Sequence, residues 1–151
     1  MTKNRSAFLS YVLVALTGGI FAFVWAYLMM RDLNRLTDRK RIPAFAISMI
    51  VAVSYIAAVA AIAWDAQVDL PPNLSILVEW VGFVASLAAF GAFAVSIALI
   101  YREILTLSGK PFGAGPAILA GVGSLLGYIF LPYAQVLLNR LENRLAAPDL
   151  A

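Results

Sequence analysis

Two long uncharged stretches decide the fold of this chain. Residues 42–64 read IPAFAISMIVAVSYIAAVAAIAW, and residues 80–101 read WVGFVASLAAFGAFAVSIALIY. A hydrocarbon core about 30 Å thick needs about 20 apolar residues of helix, because an α-helix rises about 1.5 Å per residue. Each stretch is therefore long enough to cross a bilayer as one helix. The connection 65–79 contains Pro71 and Pro72, which favour a turn, so the two stretches predict a helical hairpin.

Two further apolar stretches flank this hairpin. Residues 6–30 precede it and residues 111–139 follow it, and neither stretch carries a charged side chain. The sequence therefore predicts an all-α, polytopic integral membrane protein that folds as a single membrane domain over residues 1–151. The predicted bundle has four membrane helices, at about residues 6–30, 42–64, 76–101 and 114–139.

The overall composition agrees with lipid burial. The 151 residues are 63% hydrophobic and 13% charged, with a mean hydropathy of +0.90. A typical soluble domain is about 45–50% apolar and about 25% charged. The chain also has no Cys and no His, which excludes thiolate catalysis, histidine acid–base catalysis and the usual zinc ligands. We therefore expect no enzyme activity, no catalytic residues, no cofactor and no metal site.

The positions of the basic side chains predict the orientation. Five of the eleven Lys and Arg residues lie in the stretch 31–41, namely Arg31, Arg35, Arg39, Lys40 and Arg41. By the positive-inside rule this stretch is cytoplasmic, and the acidic connection 65–79 is external. The expected location is the bacterial cytoplasmic (inner) membrane, crossed more than once. The same basic residues favour contact with anionic lipid head groups, and they do not indicate nucleic-acid binding.

The sequence leaves open whether the first and last segments cross the membrane completely. If all four segments cross once, both charged tails lie outside, whereas re-entrant outer segments would place every basic residue inside. Glycines at positions 18, 19, 121 and 123 interrupt the two outer segments and would allow re-entry. Against re-entry stands the cost of unpaired backbone groups in lipid.

Small side chains recur at helical spacing and predict close helix packing. On the third segment these residues are Ala85, Ala89, Ala92 and Ser96. The second segment has Ala44, Ser48 and Ala52, and the fourth has Gly123 and Gly127. Such residues would hold a bundle together, through contacts within one chain or between chains.

A few polar side chains fall at or within the predicted segments. Glu79 lies next to Trp80 and, with Asp65 and Asp69, forms either an external cation site or simply an acidic outer loop. Gln135 and Asn139 stand one helical turn apart near the end of the last segment. Buried amides at this spacing are typical of bonds to a neighbouring helix, and a substrate contact is the alternative.

Several of these stretches together resemble a known family. Residues 17–27 read TGGIFAFVWAY, residues 31–34 read RDLN, and residues 133–139 read YAQVLLN. This pattern resembles the domain of unknown function 4234 family of small bacterial membrane proteins, although Gly18 and Phe21 depart from it. The resemblance implies a membrane location and a compact helical unit, and it brings no known reaction.

These observations favour a non-enzymatic accessory or structural subunit that associates with itself or with another membrane complex. A homo-oligomer or a larger membrane complex would bury the small-residue faces. The alternative is a small oligomeric transporter or channel that uses Glu79, Gln135 or a glycine-broken segment to line a pathway. An enzyme acting on lipid or quinone would have to use side chains such as Asp32, Asp38 or Glu103, which form no recognisable catalytic pattern.

Overall fold

The computed structural model of the protein describes residues 6–17, 20–37, 42–68, 70–109 and 127–146. These residues form five α-helices and no strand, so the predicted all-α class is confirmed for this part of the chain. The helices are α1 (Ala7–Leu16), α2 (Ile20–Leu36), α3 (Ala44–Gln67), α4 (Pro72–Leu107) and α5 (Gly127–Ala146).

Helices α3 and α4 pack against each other as an antiparallel hairpin. Pro71 precedes α4 and Pro72 occupies its first turn, where the missing N–H of proline leaves no helical hydrogen bond unmade. The two helices approach closely at Gly82, where an added Cβ would lie 3.2 Å from the Cβ of Ala61. We call the end of the hairpin near Gln67 the turn end and the opposite end the open end.

The outer surface of this hairpin is apolar. Within the described residues, α3 and α4 are the two helices long and apolar enough to cross a membrane, and only 17% and 28% of their most apolar windows are buried. The large exposed side chains include Phe45, Met49, Ile50, Val53, Ile56, Val59, Ile62 and Trp64 on α3, and Ile76, Leu77, Trp80, Phe83, Val84, Leu87, Phe90 and Val95 on α4. These helices therefore differ from the core helices of a water-soluble protein, whose apolar side chains would be covered.

The packed core lies around α2, which contacts all four other helices. Its fully buried side chains are Trp25, Met29, Met30 and Leu33. They meet Ile97 and Ile100 of α4 and Leu131 and Leu138 of α5 in one apolar cluster. The core is thus concentrated toward the open end, whereas the turn end of the hairpin extends beyond it.

Ring and backbone contacts fix the depth of α2 along the hairpin. The Phe23 ring lies 5.5 Å from that of Tyr55, in the middle of α3, and 5.1 Å from that of Phe93. At the other end of α2, Asn34 bonds to the backbone of Ile42, just before α3 begins. Helix α2 therefore runs from the middle of the hairpin to its open end.

The first predicted segment is divided and extends farther than expected. Helix α1 ends at Leu16 and α2 begins at Ile20, so residues 6–30 are not one helix. The Thr17 hydroxyl donates to the Leu13 carbonyl (2.8 Å) and accepts from the Phe21 N–H (3.0 Å), and so it caps both helices. Helix α2 continues through the charged stretch to Leu36 because the buried Leu33 extends its apolar face. The prediction that residues 31–41 form a loop is therefore wrong for residues 31–36.

The other segment boundaries also shift. Helix α3 ends at Gln67 and α4 covers Pro72–Leu107, so both hairpin helices are longer than the predicted 42–64 and 76–101. In the predicted segment 114–139, residues 114–126 lie outside the described part of the chain. Helix α5 starts at Gly127 and continues to Ala146, through charged residues that the sequence placed beyond the membrane.

Candidate functional site

A series of hydrogen-bonded polar side chains, buried at Trp25 and Gln135, joins α2 to α5. The indole Nε1 of Trp25 donates to Oε1 of Gln135 at 2.9 Å, and Nε2 of Gln135 donates to Oδ1 of Asn139 at 2.9 Å. Trp25 and Gln135 are 1% and 2% exposed, so their bond is shielded from solvent. Gln135 and Asn139 share one face of α5 because they stand one helical turn apart.

The hydrogen bonds among Trp25, Gln135 and Asn139 join neutral groups only. The Gln135 amide accepts from one helix and donates along its own helix, which satisfies both ends of the side chain. A satisfied amide in an apolar core fixes the register of two helices, because any slip would leave Trp25 Nε1 buried without an acceptor. The structure thus gives Gln135 an interhelical contact and links Asn139 to it along α5, and the described residues show no acid or base bonded to Gln135.

A second polar contact joins α5 to α4. The Tyr101 hydroxyl donates to the Phe130 carbonyl at 3.1 Å, and the Tyr101 ring stacks near Tyr133 with 6.4 Å between centroids. Pro132 lies between these two residues of α5, where a proline ring disturbs the regular helical hydrogen bonds. The tyrosine therefore supports α5 in the turn that contains Pro132.

Two acidic side chains outside the predicted sites are buried near the open end. Asp32 of α2 is 5% exposed and Glu103 of α4 is 6% exposed, and both have polar partners. They lie nine and ten residues beyond Phe23 and Phe93, whose rings are in contact, and so at similar depth on neighbouring helices. The helical spacing Trp25–Met29–Asp32–Leu33 was the sequence signal that Asp32 belongs to the buried face.

The basic stretch contributes one described contact to this region. Arg31 Nε lies 3.7 Å from Asp32 Oδ1 and is buried without a hydrogen-bond partner. Arg35 is exposed at the end of α2. Arg39, Lys40 and Arg41 lie outside the described residues. The structure therefore places Arg31 partly against the bundle and leaves Arg35 available to a head group or to water.

Asn34 holds the start of α3 in place. Its Nδ2 donates to the Ile42 carbonyl at 2.7 Å, and its Oδ1 accepts from the Ile42 N–H at 3.0 Å. The side chain thus pairs with the backbone as a neighbouring strand would, and it satisfies both polar groups of a buried residue. Both bonds come from one amide, so Asn34, the last residue of the RDLN stretch, anchors the α2–α3 connection.

The external carboxylates lie beside a groove at the turn end. Asp65 Oδ1 accepts from the Ser75 hydroxyl at 2.8 Å, which links α3 to α4. Asp65 and the exposed Glu79 border a groove of about 420 Å³ that Gly82 and Ser86 also line. Asp69 lies outside the described residues, and the described part of the chain holds no cluster of three or more side chains able to bind a metal ion.

Some of the small residues predicted to pack are buried between helices, and others are exposed. On α4, Ala89 and Ser96 are buried, while Ala85 and Ala92 are half-buried. On α3 the packed face carries Ala44, Ile47, Val51, Ala58 and Ala61. The predicted series Ala44, Ser48 and Ala52 does not follow that face, since Ala52 is exposed. Gly123 lies outside the described residues, and Gly127 is the first residue of α5.

Comparisons with known proteins add no relative. No family model, no curated protein and no solved structure matches the chain. The resemblance to the domain of unknown function 4234 family therefore rests on the sequence motifs alone and stays a prediction. Function has to be argued from the helices and their side chains.

Proposed function

We propose that this protein is a small integral membrane protein that acts as a non-enzymatic accessory or structural subunit. In this proposal the α3–α4 hairpin crosses the bacterial inner membrane, with residues 65–79 outside and residues 31–41 inside. The observation that carries it is the exposure of large apolar side chains on both faces of a hairpin long enough to span a bilayer. In water such a surface would aggregate, whereas acyl chains cover it without cost.

The position of aromatic and charged side chains supports this placement. Trp64 and Trp80 are both exposed near the turn end, where tryptophan side chains favour the boundary between lipid and water. Arg102 and the buried Glu103 lie near the open end of α4. From Trp80 to Arg102 the helix rises about 33 Å at 1.5 Å per residue, close to the thickness of a hydrocarbon core.

The direction of α5 favours a complete crossing by the last segment over a re-entrant one. Helix α2 runs toward the open end, whereas α5 runs away from it, since Phe130 contacts Tyr101 and Gln135 contacts Trp25. A re-entrant last segment would return toward the open end at its C-terminal limb. The C-terminal end of α5 would accordingly lie on the same side as the connection 65–79, whereas the direction of α2 is the same in both arrangements.

The proposed accessory role is supported by the apolar surface that the hairpin exposes to other proteins. Exposed apolar surface is continuous on the turn half of the hairpin, and the chain has neither Cys nor His for common catalytic chemistry. A second copy or another membrane protein is the proposed partner. The alternative, a small oligomeric transporter or channel, is supported by the polar side chains of α5, which continue from the buried core to an exposed helix end.

Two measurements test this proposal. The membrane claim predicts that the protein stays in the pellet after alkaline carbonate extraction and is released by mild detergent. The accessory claim predicts that native mass spectrometry of the detergent extract finds dimers or a copurifying membrane protein. Release by carbonate would contradict the first claim. A strictly monomeric protein without a bound partner, in several mild detergents, would contradict the second.

A further inference from the structure

Helix α5 carries a polar stripe that grades from buried to exposed. Gln135, Asn139 and Asn143 follow one another at four-residue spacing and so share one face of the helix. Gln135 is buried, Asn139 is half-buried and Asn143 is exposed. Arg140 follows Asn139 and Arg144 follows Asn143, and both arginines are exposed beside this face. The stripe therefore leads from the helix end into the core at Trp25.

The contacts of α5 place this stripe at mid-depth of the hairpin. Gln135 bonds to Trp25, which is two residues from the Phe23 ring that contacts Tyr55 in the middle of α3. Helix α5 runs from there toward the turn end, and at about 1.5 Å per residue Arg140 lies about 7.5 Å beyond Gln135. Arg140 is thus level with the middle of α3, within about one helical turn of about 5.4 Å.

At this same depth the hairpin exposes only apolar side chains toward its surroundings. Val53 and Ile56 flank Tyr55 on α3 and are 58% and 65% exposed. If acyl chains cover Val53 and Ile56, they cannot also surround exposed guanidinium groups, because charged side chains at that depth face water, a partner charge or the bundle interior. The two sides of the molecule therefore have different surroundings.

The described part of the chain supplies no neutralising partner for these guanidiniums. Arg140 and Arg144 form no ion pair or hydrogen bond there. Glu142 stands two residues from each, and so on the opposite side of the helix. The amides of Asn139 and Asn143 add neutral hydrogen-bonding groups to the same surface. The stripe and its two flanking arginines thus form a positive surface that is matched to an anion.

We infer that the α5 stripe lines a water-filled recess that opens toward the turn end and binds a phosphate group at Arg140 and Arg144. Guanidinium groups bind phosphate oxygens in pairs, and an anion so bound would offset the charge at this depth. The phosphate belongs either to an anionic lipid head group or to a free solute. This inference rests on the proposed membrane location, and it goes beyond the accessory role.

Cysteine labelling tests the recess, and the native chain has no Cys to interfere. The variants Arg140→Cys and Asn143→Cys report on the stripe, and Val53→Cys and Ile56→Cys are controls at matched depth on the hairpin. Each variant is reconstituted in bilayers and treated with a small membrane-impermeant thiol reagent. We expect the stripe positions to react about tenfold faster or more, because hydrocarbon suppresses the reactive thiolate.

The other outcomes separate the recess from the membrane proposal. Slow labelling at all four positions would overturn the recess and leave the membrane-spanning hairpin intact. Fast labelling at all four would overturn both. Asn143→Cys is the milder substitution, so it keeps the test valid if Arg140→Cys fails to fold.

The phosphate ligand has its own test on Asn143→Cys. Inorganic phosphate is added to the protein in nanodiscs of a zwitterionic lipid, and separately phosphatidylglycerol is added to the nanodiscs. Slower labelling with the solute alone identifies a free phosphate, and slower labelling with the lipid alone identifies a head group. The protection should disappear in Arg140→Gln/Arg144→Gln and persist in Arg102→Gln. Unchanged labelling with both additions would overturn the phosphate site.

Discussion

At the scale of single side chains, Gln135 joins two helices through one buried hydrogen bond. Its amide is the acceptor for a tryptophan indole that is 1% exposed, and it also donates to Asn139. A buried donor without an acceptor lowers the stability of a fold by about 1–3 kcal/mol. Polar bonds between helices of membrane proteins contribute less to stability, about 0.6 kcal/mol on average. The bond therefore specifies register more than it stabilises the bundle.

A double-mutant cycle at this bond gives the first prediction. Gln135→Leu should lower the free energy of unfolding by about 1–2 kcal/mol, because Trp25 Nε1 loses its acceptor. Trp25→Phe removes the donor, and the double variant should lose less than the sum of the single losses, with a coupling of about 0.5–1.5 kcal/mol. Unfolding in detergent micelles measures all four proteins. Strictly additive losses would show that the two side chains do not interact.

Asn34 gives a second prediction, which separates its two hydrogen bonds. Asn34→Ala removes both bonds to Ile42, so the Ile42 amide should exchange its hydrogen faster. Asn34→Asp keeps an acceptor for that N–H and should retain most of the protection, although it loses the bond to the carbonyl. Hydrogen exchange followed by mass spectrometry measures both variants. Equal exchange in the native protein and Asn34→Ala would contradict the anchoring role.

At the level of the helices, the close contact of α3 and α4 at Gly82 gives a third prediction. A valine at Gly82 would press against Ala61, and overpacking of this kind costs about 1–3 kcal/mol. Gly91 lies on the same helix with no atom within 4 Å of its built Cβ, so Gly91→Val is a matched control. We expect Gly82→Val to lower the melting temperature in detergent and Gly91→Val to leave it nearly unchanged. Equal effects would mean that the hairpin is not closely packed at Gly82.

The hairpin helices were the most predictable elements. An uncharged stretch that would cross the whole hydrocarbon core as a helix is compatible with few other folds. Their true ends were less predictable, since α3 continues past Trp64 to Gln67 and α4 past Tyr101 to Leu107. Charge ended the predicted segments, whereas helices end where capping and packing end them. For the same reason the extension of α2 to Leu36 was missed.

The site was predictable only in part, because long-range partners are invisible in one sequence. The spacing of Gln135 and Asn139 indicated a shared helix face, but nothing in the sequence paired Gln135 with Trp25, 110 positions away. The spacing of Asp32 with Trp25 and Met29 indicated a buried face, whereas the burial of Glu103, which stands beside Arg102, followed only from the packing of α4. Contacts between distant helices therefore determined what composition and periodicity could not.

Considered as one molecule, the protein has one half packed by several helices, toward the open end, and one half in which the hairpin surface is exposed, toward the turn end. Helix α2 packs on the hairpin from its middle to its open end and α5 packs against α2 and α4, while the turn half of α3 and α4 exposes apolar side chains. The proposed membrane location would account for this asymmetry, because lipid would cover the apolar surface that no helix of the described chain covers. The central claim is therefore that the α3–α4 hairpin crosses a membrane.

Labelling from the two sides of the membrane tests that claim most directly. Gln67→Cys lies at the turn end and Arg35→Cys at the open end, and both native side chains are exposed. In cells with intact inner membranes, an impermeant thiol reagent should label Gln67→Cys at once and Arg35→Cys only after the membrane is permeabilised. Labelling of both positions from the same side, at equal rates, would contradict a membrane-spanning hairpin.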